Sequence, residues 1–278
     1  VDLVVAVTGA ARGIGLATAR AFAAAGARVL VGDVDAAAAA GAARGIGATA
    51  SALDVRDRAS FAAFLHAAPG PVDVLVNNAG VAPAGTFCDT DPEVLDLVLD
   101  VNLRGVVHGM RLALPGMLAR GRGHVVNVAS LAGRVPLPGA ASYTASKFAV
   151  VGLTEAVRAE VAGTGVRLTA VLPSFVRTDI LAGLPLRGVP TVRPERVATA
   201  IVGAVRRGGP PVLTVPRHLG VLPRLAALTP YRLVDAARRA AGGDRLPSVD
   251  AAARAGYEAR VAGLLDRARG DTGDPPGA

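Results

Sequence analysis

Tyr143 and Lys147 are the residues of this chain whose types and spacing most directly allow chemistry. Lys147 is the single lysine among 30 Lys and Arg residues; all the others are Arg. A compact ammonium differs from a planar guanidinium in size, hydration and hydrogen-bond geometry, so this position asks for something Arg cannot supply. Tyr143 stands four residues earlier, in Tyr143-Thr144-Ala145-Ser146-Lys147, and an i,i+4 pair on a helix shares one face. An ammonium beside a phenol favours the phenolate and lowers the Tyr pKa, which makes a proton donor and acceptor usable near neutral pH. Taken alone, the pair is equally compatible with a Tyr and a Lys on a solvated helix, so the rest of the chain has to decide.

A second constellation suits a phosphate-bearing ligand. Thr8-Gly9-Ala10-Ala11-Arg12-Gly13-Ile14-Gly15 follows an apolar strand-like run and opens a helical one. Glycines at such a junction allow a tight turn and let backbone N–H groups approach a pyrophosphate at the helix N-terminus. The spacing is G-x-x-x-G-x-G rather than the general G-x-G-x-x-G fingerprint. Asp33 closes the second strand, 18 residues after Gly15; an acidic group there accepts from ribose hydroxyls and repels a 2′-phosphate, which points to NAD. Arg12 in the turn could attract that phosphate and keeps NADP open, or be an exposed turn residue. The carboxylate opposes a phosphate directly and is given more weight. Asp54 and Val55, at the end of the third strand, could flank an adenine. Asn77-Asn78-Ala79-Gly80, ending the fourth, could give a close backbone approach or be an ordinary turn.

These groups need a frame. Apolar strands at 3–7, 28–32, 49–54, 72–76, 123–129, 166–172 and 212–216 alternate with helical stretches at 14–25, 35–44, 60–67, 92–118 (broken near its middle), 142–164 and 194–207. Such alternation argues for βαβ units, and continuous Val/Leu/Ala strands argue for burial on both faces. The expected fold is therefore α/β, a Rossmann-type doubly wound parallel sheet of about seven strands, with residues 1–216 as one domain. Residues 217–278 leave this pattern and read as a C-terminal helical extension, with helices near 231–241 and 249–269 and a frayed end.

With these pieces in order, the chain resembles the short-chain dehydrogenase/reductase family over about residues 2–216. The residues that carry the resemblance are Thr8 to Gly15, Asp54, Asn77 to Gly80, Asn102, Ser130, and Tyr143 with Lys147. The resemblance implies an NAD(P)-dependent oxidoreductase that interconverts a secondary alcohol and a ketone, or an aldehyde. Tyr143 would be the acid/base, and Ser130 would hold the substrate oxygen and its developing charge. Lys147 would bind the nicotinamide ribose and tune Tyr143. Asn102, at the helix break, would tie a water to Lys147. Gly9, Arg12, Gly13, Ile14, Gly15, Asp33, Asp54, Val55, Asn78, Ala79, Gly80, Tyr143 and Lys147 would contact the cofactor, and Val176 and Thr178 would meet the carboxamide. In Pro173-Ser174-Phe175-Val176-Arg177-Thr178 the family's usual Pro-Gly is Pro-Ser, so the backbone at Ser174 must avoid dihedrals reserved for glycine. A dinucleotide-binding regulator without turnover is the alternative function on the same fold.

Composition narrows the partners. A hydrophobic share of 51% and a mean hydropathy of +0.44 exclude a disordered chain. The formal charge of +8 is concentrated at the end, where residues 206–278 hold 12 Arg against 7 acidic groups. No nucleic-acid motif accompanies that charge, and no nucleic-acid partner is expected. The Leu, Val and Arg mixture at 217–224 and 231–241 is compatible with a peripheral membrane face, although a lid or oligomer-packing segment is preferred. The lone Cys88 suits a reducing, cytoplasmic setting, and no signal-peptide pattern is read, although a short N-terminal piece could be missing. No metal site is expected. The loop at 180–190, with Ile180, Leu181, Leu184, Pro185, Leu186 and Val189, is apolar; with Phe175 and Leu131 near, it points to a small hydrophobic alcohol or carbonyl substrate. The family's habit implies a homodimer or homotetramer, built on the helices either side of the fifth strand.

Overall fold

The computed structural model describes residues 3–184, 190–221, 225, 228–240 and 250–272. Its sheet follows from alternation along each strand. In β1 (Val4–Thr8), Val5 and Val7 join one apolar cluster and Ala6 the other. In β4 (Val74–Asn77), Val74 and Val76 oppose Leu75, and in β5 (Gly123–Val128), Val126 and Val128 oppose Val125. Successive side chains of a strand point to opposite faces, so an unbroken apolar run places a core on each side.

The remaining strands are β2 (Arg28–Asp33), β3 (Thr49–Ala52), β6 (Val166–Pro173) and β7 (Val212–Val215), and the sheet order is β3-β2-β1-β4-β5-β6-β7. Every neighbouring pair is parallel. From β1 the chain winds outward to β3, then returns and winds the other way from β4. The reversal leaves a crevice between β1 and β4 at the strands' C-terminal ends, where doubly wound sheets bind ligands.

Helices cover both faces. α1 (Gly13–Ala24), α2 (Ala36–Arg44) and α7 (Pro194–Arg207) pack Phe22, Ala39 and Ile201 on one. α3 (Arg58–His66), α5 (Gly105–Ala119) and α6 (Ala141–Glu160) pack Phe61, Phe64, Met110 and Val150 on the other. Asp35 and Asp57 cap α2 and α3, and Asp91 caps α4 (Pro92–Leu99), each accepting from an otherwise unpaired N–H of the first turn. Between α4 and α5 runs a π-helical turn, Asp100–Arg104, at the expected break. Such a turn carries an extra residue and often marks a site.

Several boundaries shift by one residue or more from expectation, and two of the shifts have a local cause. α6 stops at Glu160 rather than 164, because Gly163 and Gly165 both take φ of 82°, a region that glycine enters without strain. β3 ends at Ala52 rather than 54, where Asp54 turns its N–H to the Ser60 hydroxyl, 3.0 Å away.

The extension holds α8 (Tyr231–Ala240) and α9 (Ala251–Thr272). Tyr257 and Val261 of α9 enter the same cluster as Phe61 and Val150, so this helix is built into the core. Expectations for 185–189, 222–224 and the frayed end beyond 272 lie outside the described residues. No helix among the described residues is long and apolar enough to cross a membrane.

Candidate active site

The turn after β1 is shaped by its glycines. Gly9 and Gly13 take φ of 61° and 56°, and a Cβ at Gly9 would lie 2.7 Å from the Ala79 Cα. Gly15 lets α1 pack: a Cβ there would meet the Gly9 carbonyl at 2.3 Å and Asn78 Nδ2 at 2.6 Å. α1 starts at Gly13 with no side-chain cap and no acidic residue in its first turn. Its leading N–H groups therefore face the crevice as a site for an anion. Asn78 fastens the turn by donating to the Thr8 and Gly9 carbonyls at 2.9 and 3.0 Å, while Thr8 Oγ1 accepts from Asn78 N and Ala79 N.

The charged residues at the β2 end sort themselves by partner. Asp33 accepts from Ala11 N and Asp35 N, both at 3.1 Å, and still lines the crevice. Arg12 pairs with Asp35 at 3.0 Å, so the guanidinium that could have drawn a 2′-phosphate is already balanced. Asp54 is gripped by Arg56 at 2.6 Å. Burial raises the Asp54 pKa, but the Arg56 hydrogen bonds and charge, with Arg267, outweigh it and leave the group below its ordinary value. Val55 lines the crevice beside it, and its close fit to α5 requires Gly105, where a Cβ would lie 2.8 Å from the Val55 side chain.

At the other end stand the acid/base candidates. Lys147, 4% exposed, donates from Nζ to the Val128 carbonyl at 3.0 Å, and burial brings its pKa down to about 8. Its Nζ lies 5.6 Å from the centroid of the Tyr143 ring. Burial pushes the Tyr143 phenol above its ordinary value, and a hydrogen bond with the Ser130 side chain pulls the other way. The lowering expected from Lys147 is not found: the ammonium faces the ring and the Val128 carbonyl, and burial of the phenol dominates. Ser130 follows β5 and caps a short 3₁₀ turn, Leu131–Gly133, accepting from Ala132 N at 3.1 Å.

Asn102 sits in the π-helical turn with no exposed surface. Its Oδ1 accepts from Val81 N at 2.8 Å, and Nδ2 donates to Val81 O at 2.9 Å and Ser146 Oγ at 3.1 Å. The side chain braces the segment after β4 against α6, next to Lys147. Thr178 lines the crevice, with its Cγ2 3.3 Å from a Cβ built on Gly13. Val176 lies behind the wall, 5% exposed and bridged to Val192. Among the described residues none other than glycine takes positive φ, so Ser174 meets the backbone requirement read from the sequence.

These groups border one cleft of about 620 Å³, within the 300–1,000 Å³ range of small-molecule sites. Gly9, Arg12, Gly13, Ile14, Asp33, Asp54, Val55, Asn78, Ala79, Gly80, Tyr143, Lys147 and Thr178 line it; Gly15, Asn102, Ser130 and Val176 stand behind or beside its wall. Of the apolar residues expected near a substrate, Ile180 lines the cleft, and Phe175 and Leu131 do not. Sequence reading missed the wall supplied by α9: Tyr257, Arg260, Val261, Leu264 and Arg267. Tyr257 Oη accepts from Ala82 N at 2.6 Å, and burial raises its pKa to about 12. The signal was present as an apolar stripe, Tyr257, Val261 and Leu264, at helical spacing.

With this geometry in place, likeness to other proteins is informative. Residues 3–186 match the family model described as short chain dehydrogenase. The chain is 38% identical over 238 residues to "Probable oxidoreductase EphD" of Mycobacterium tuberculosis, covering 75% of this chain and 40% of that one, so it spans well under half of that relative's length. It is 46% identical over 184 residues to the "Monensin polyketide synthase putative ketoacyl reductase" of Streptomyces virginiae, covering 63% and 70% of the two chains. A crystal structure of a short chain dehydrogenase/reductase from Burkholderia phymatum in complex with NAD superposes with a TM-score of 0.71 at 31% identity, covering 81% of this chain and 92% of that one.

Proposed function

The chain belongs to the short chain dehydrogenase family, and we propose that it is an NAD(P)-dependent oxidoreductase interconverting an alcohol and its ketone or aldehyde. The observation that carries this reading is that Tyr143 and the buried Lys147, its Nζ 5.6 Å from the Tyr143 ring centroid, line the same cleft as the glycine turn.

A nicotinamide dinucleotide, when bound, supplies the hydride acceptor or donor. The protein's part is binding, orientation and proton control. The N–H groups at the start of α1 hold the pyrophosphate, and Asp33 accepts from the adenosine ribose. Asp54 and Val55 flank the adenine. Asn78, Ala79 and Gly80 form the floor. Thr178, positioned by the Val176 bridge, meets the carboxamide. Asp33 on the cleft wall and the pairing of Arg12 with Asp35 support NAD over NADP. The neighbour from Burkholderia phymatum is itself described in complex with NAD.

In the oxidative direction the alcohol's O–H proton would pass to Tyr143, and in reduction Tyr143 would return a proton to the carbonyl oxygen. Ser130 holds the substrate oxygen as charge develops on it. The 46% identical relative is named as a ketoacyl reductase, which supports carbonyl reduction. Val81, Ile180 and the Tyr257 ring make the cleft wall largely apolar near Tyr143, which supports a small hydrophobic substrate. Phe148 of α6 and Leu118 of α5 are 40% and 38% exposed, and these helix faces support a homodimer or homotetramer.

The test is turnover of a panel of ketones, aldehydes and alcohols with NAD(H) and NADP(H), followed by nicotinamide absorbance. Tyr143→Phe should lower kcat by roughly 10²–10⁴-fold, the usual worth of a positioned acid/base, while dinucleotide affinity stays nearly unchanged. Undiminished turnover in Tyr143→Phe would remove the phenol from the mechanism.

A further inference from the structure

α9 reaches both ends of the cleft. Tyr257 lies at the catalytic end, bonded to Ala82 and close enough to sense the charge of Tyr143. Arg267 lies at the β2 end, donating to the Val34 carbonyl at 3.1 Å, next to Asp33, with its charge felt by Asp54. Ten residues of helix separate the two, about 15 Å at 1.5 Å per residue, a span on the scale of an extended dinucleotide. All of α9 lies outside residues 3–186, so the family match says nothing about it.

The helix is anchored unevenly. At its start Arg254, 1% exposed, donates to the carbonyls of Ala82 at 2.7 Å, Ile180 at 3.0 Å and Ala182 at 3.1 Å. Asp250 N adds a bond to Gly183 O at 2.8 Å. A buried guanidinium supplied with acceptors is hard to withdraw, because leaving it or its partners unpaired is costly. Val261 is 4% exposed, and Leu264 and Leu265 pack against the core, so the helix is held down to that point. Beyond Leu265 the ties are polar and mostly exposed: Arg267 donates to the Val34 carbonyl, and Arg269 meets Glu93 at 2.5 Å with both partners at least 52% exposed. Pairs of this kind contribute little to stability.

We propose that α9 is a strap over the dinucleotide site, pinned from the catalytic end through Arg254 and Val261 and liftable beyond Leu265 at the adenosine end. The cofactor enters and leaves by that opening, and Arg267 closes over its adenosine half. The inference rests on reading the cleft as a dinucleotide site.

The test compares the unaltered chain with the double variant Arg267→Ala, Arg269→Ala, whose positions are exposed and leave the core intact. NADH release is followed by stopped-flow fluorescence, and amide hydrogen exchange of α9 is measured with and without NADH. The strap requires NADH to slow exchange more at 266–272 than at 251–257. It also requires the variant to release NADH about tenfold faster, since lost contacts within one complex act mainly on the off-rate. Binding of NADH by the variant but not by the unaltered chain would support the strap in its closed form. An unchanged release rate, with α9 exchange indifferent to NADH, overturns the strap and leaves the dinucleotide site standing. Binding of neither NADH nor NADPH to either chain overturns the reading of the cleft, and the strap with it.

Discussion

At the scale of single residues, Lys147 stands out because folding gains nothing from its charge. Its pKa falls from 10.5 to about 8 on burial, a cost of about 3 kcal/mol at 1.4 kcal/mol for each tenfold change in proton affinity. Below pH 8 both folded and unfolded chains hold the proton and the cost is present in full. Between pH 8 and 10.5 the unfolded chain keeps a proton that the folded one has released, so stability rises with pH there. Lys147→Met should therefore be the more stable chain in urea unfolding at pH 7, with the difference shrinking through pH 8 to 10.5, and should lose turnover. Lys147→Arg should also lose most turnover, because a Cβ at Gly80 would already lie 3.5 Å from Nζ and 3.1 Å from Asn102 Oδ1, too tight for a guanidinium. Asp33→Asn keeps an acceptor for Ala11 N but removes the charge facing the ribose. The ratio of Kd for NADP to Kd for NAD should fall by about tenfold, in line with one lost charge contact; an unmoved ratio would take Asp33 out of that site.

At the scale of elements, the fold was legible where pattern and burial agree. Alternate strand residues go to two cores, so β1, β4 and β5 could be read as two-sided strands from their apolar runs alone. The break within 92–118 was also legible, yet its purpose was not, because nothing local shows that Asn102 braces Val81, 21 residues away in sequence. Asn102→Ala leaves the buried N–H and C=O of Val81 without partners, and unfolding stability should drop by about 2–4 kcal/mol. Urea titration would measure that loss, and Asn102→Asp should recover part of it by still accepting from Val81 N. The candidate site residues were legible because local spacing carries them: i,i+4 on α6, and strand-end positions after β4 and β5. The roles of α9 were not. Arg254 reads as one more charge in an Arg-rich tail, and only the three carbonyls gathered from loops after β4 and β6 make it a buried one.

At the scale of the whole molecule, the core itself responds to pH. His124 of β5 is 5% exposed, bonded to Thr169 Oγ1 at 2.9 Å, and burial with the charge of Arg167 brings its pKa from 6.5 to about 4. Above pH 6.5 the ring is neutral in both states and costs nothing. As pH falls from 6.5 towards 4 the unfolded chain takes a proton that the folded chain refuses, so stability declines by about 3 kcal/mol over that window. His124→Gln, which can still reach Thr169, should flatten that part of the decline when urea midpoints at pH 7 and 4.5 are compared. The single lysine gives the assembled chain one more property. It is the only side-chain amine, it borders the cleft, and its low pKa leaves much of it unprotonated in mildly alkaline buffer. An amine-directed reagent small enough to enter the cleft therefore places a single side-chain label, on the cleft wall beside Tyr143. The speed of that labelling becomes a gauge of how open the cleft is, readable by intact mass without any substrate in hand.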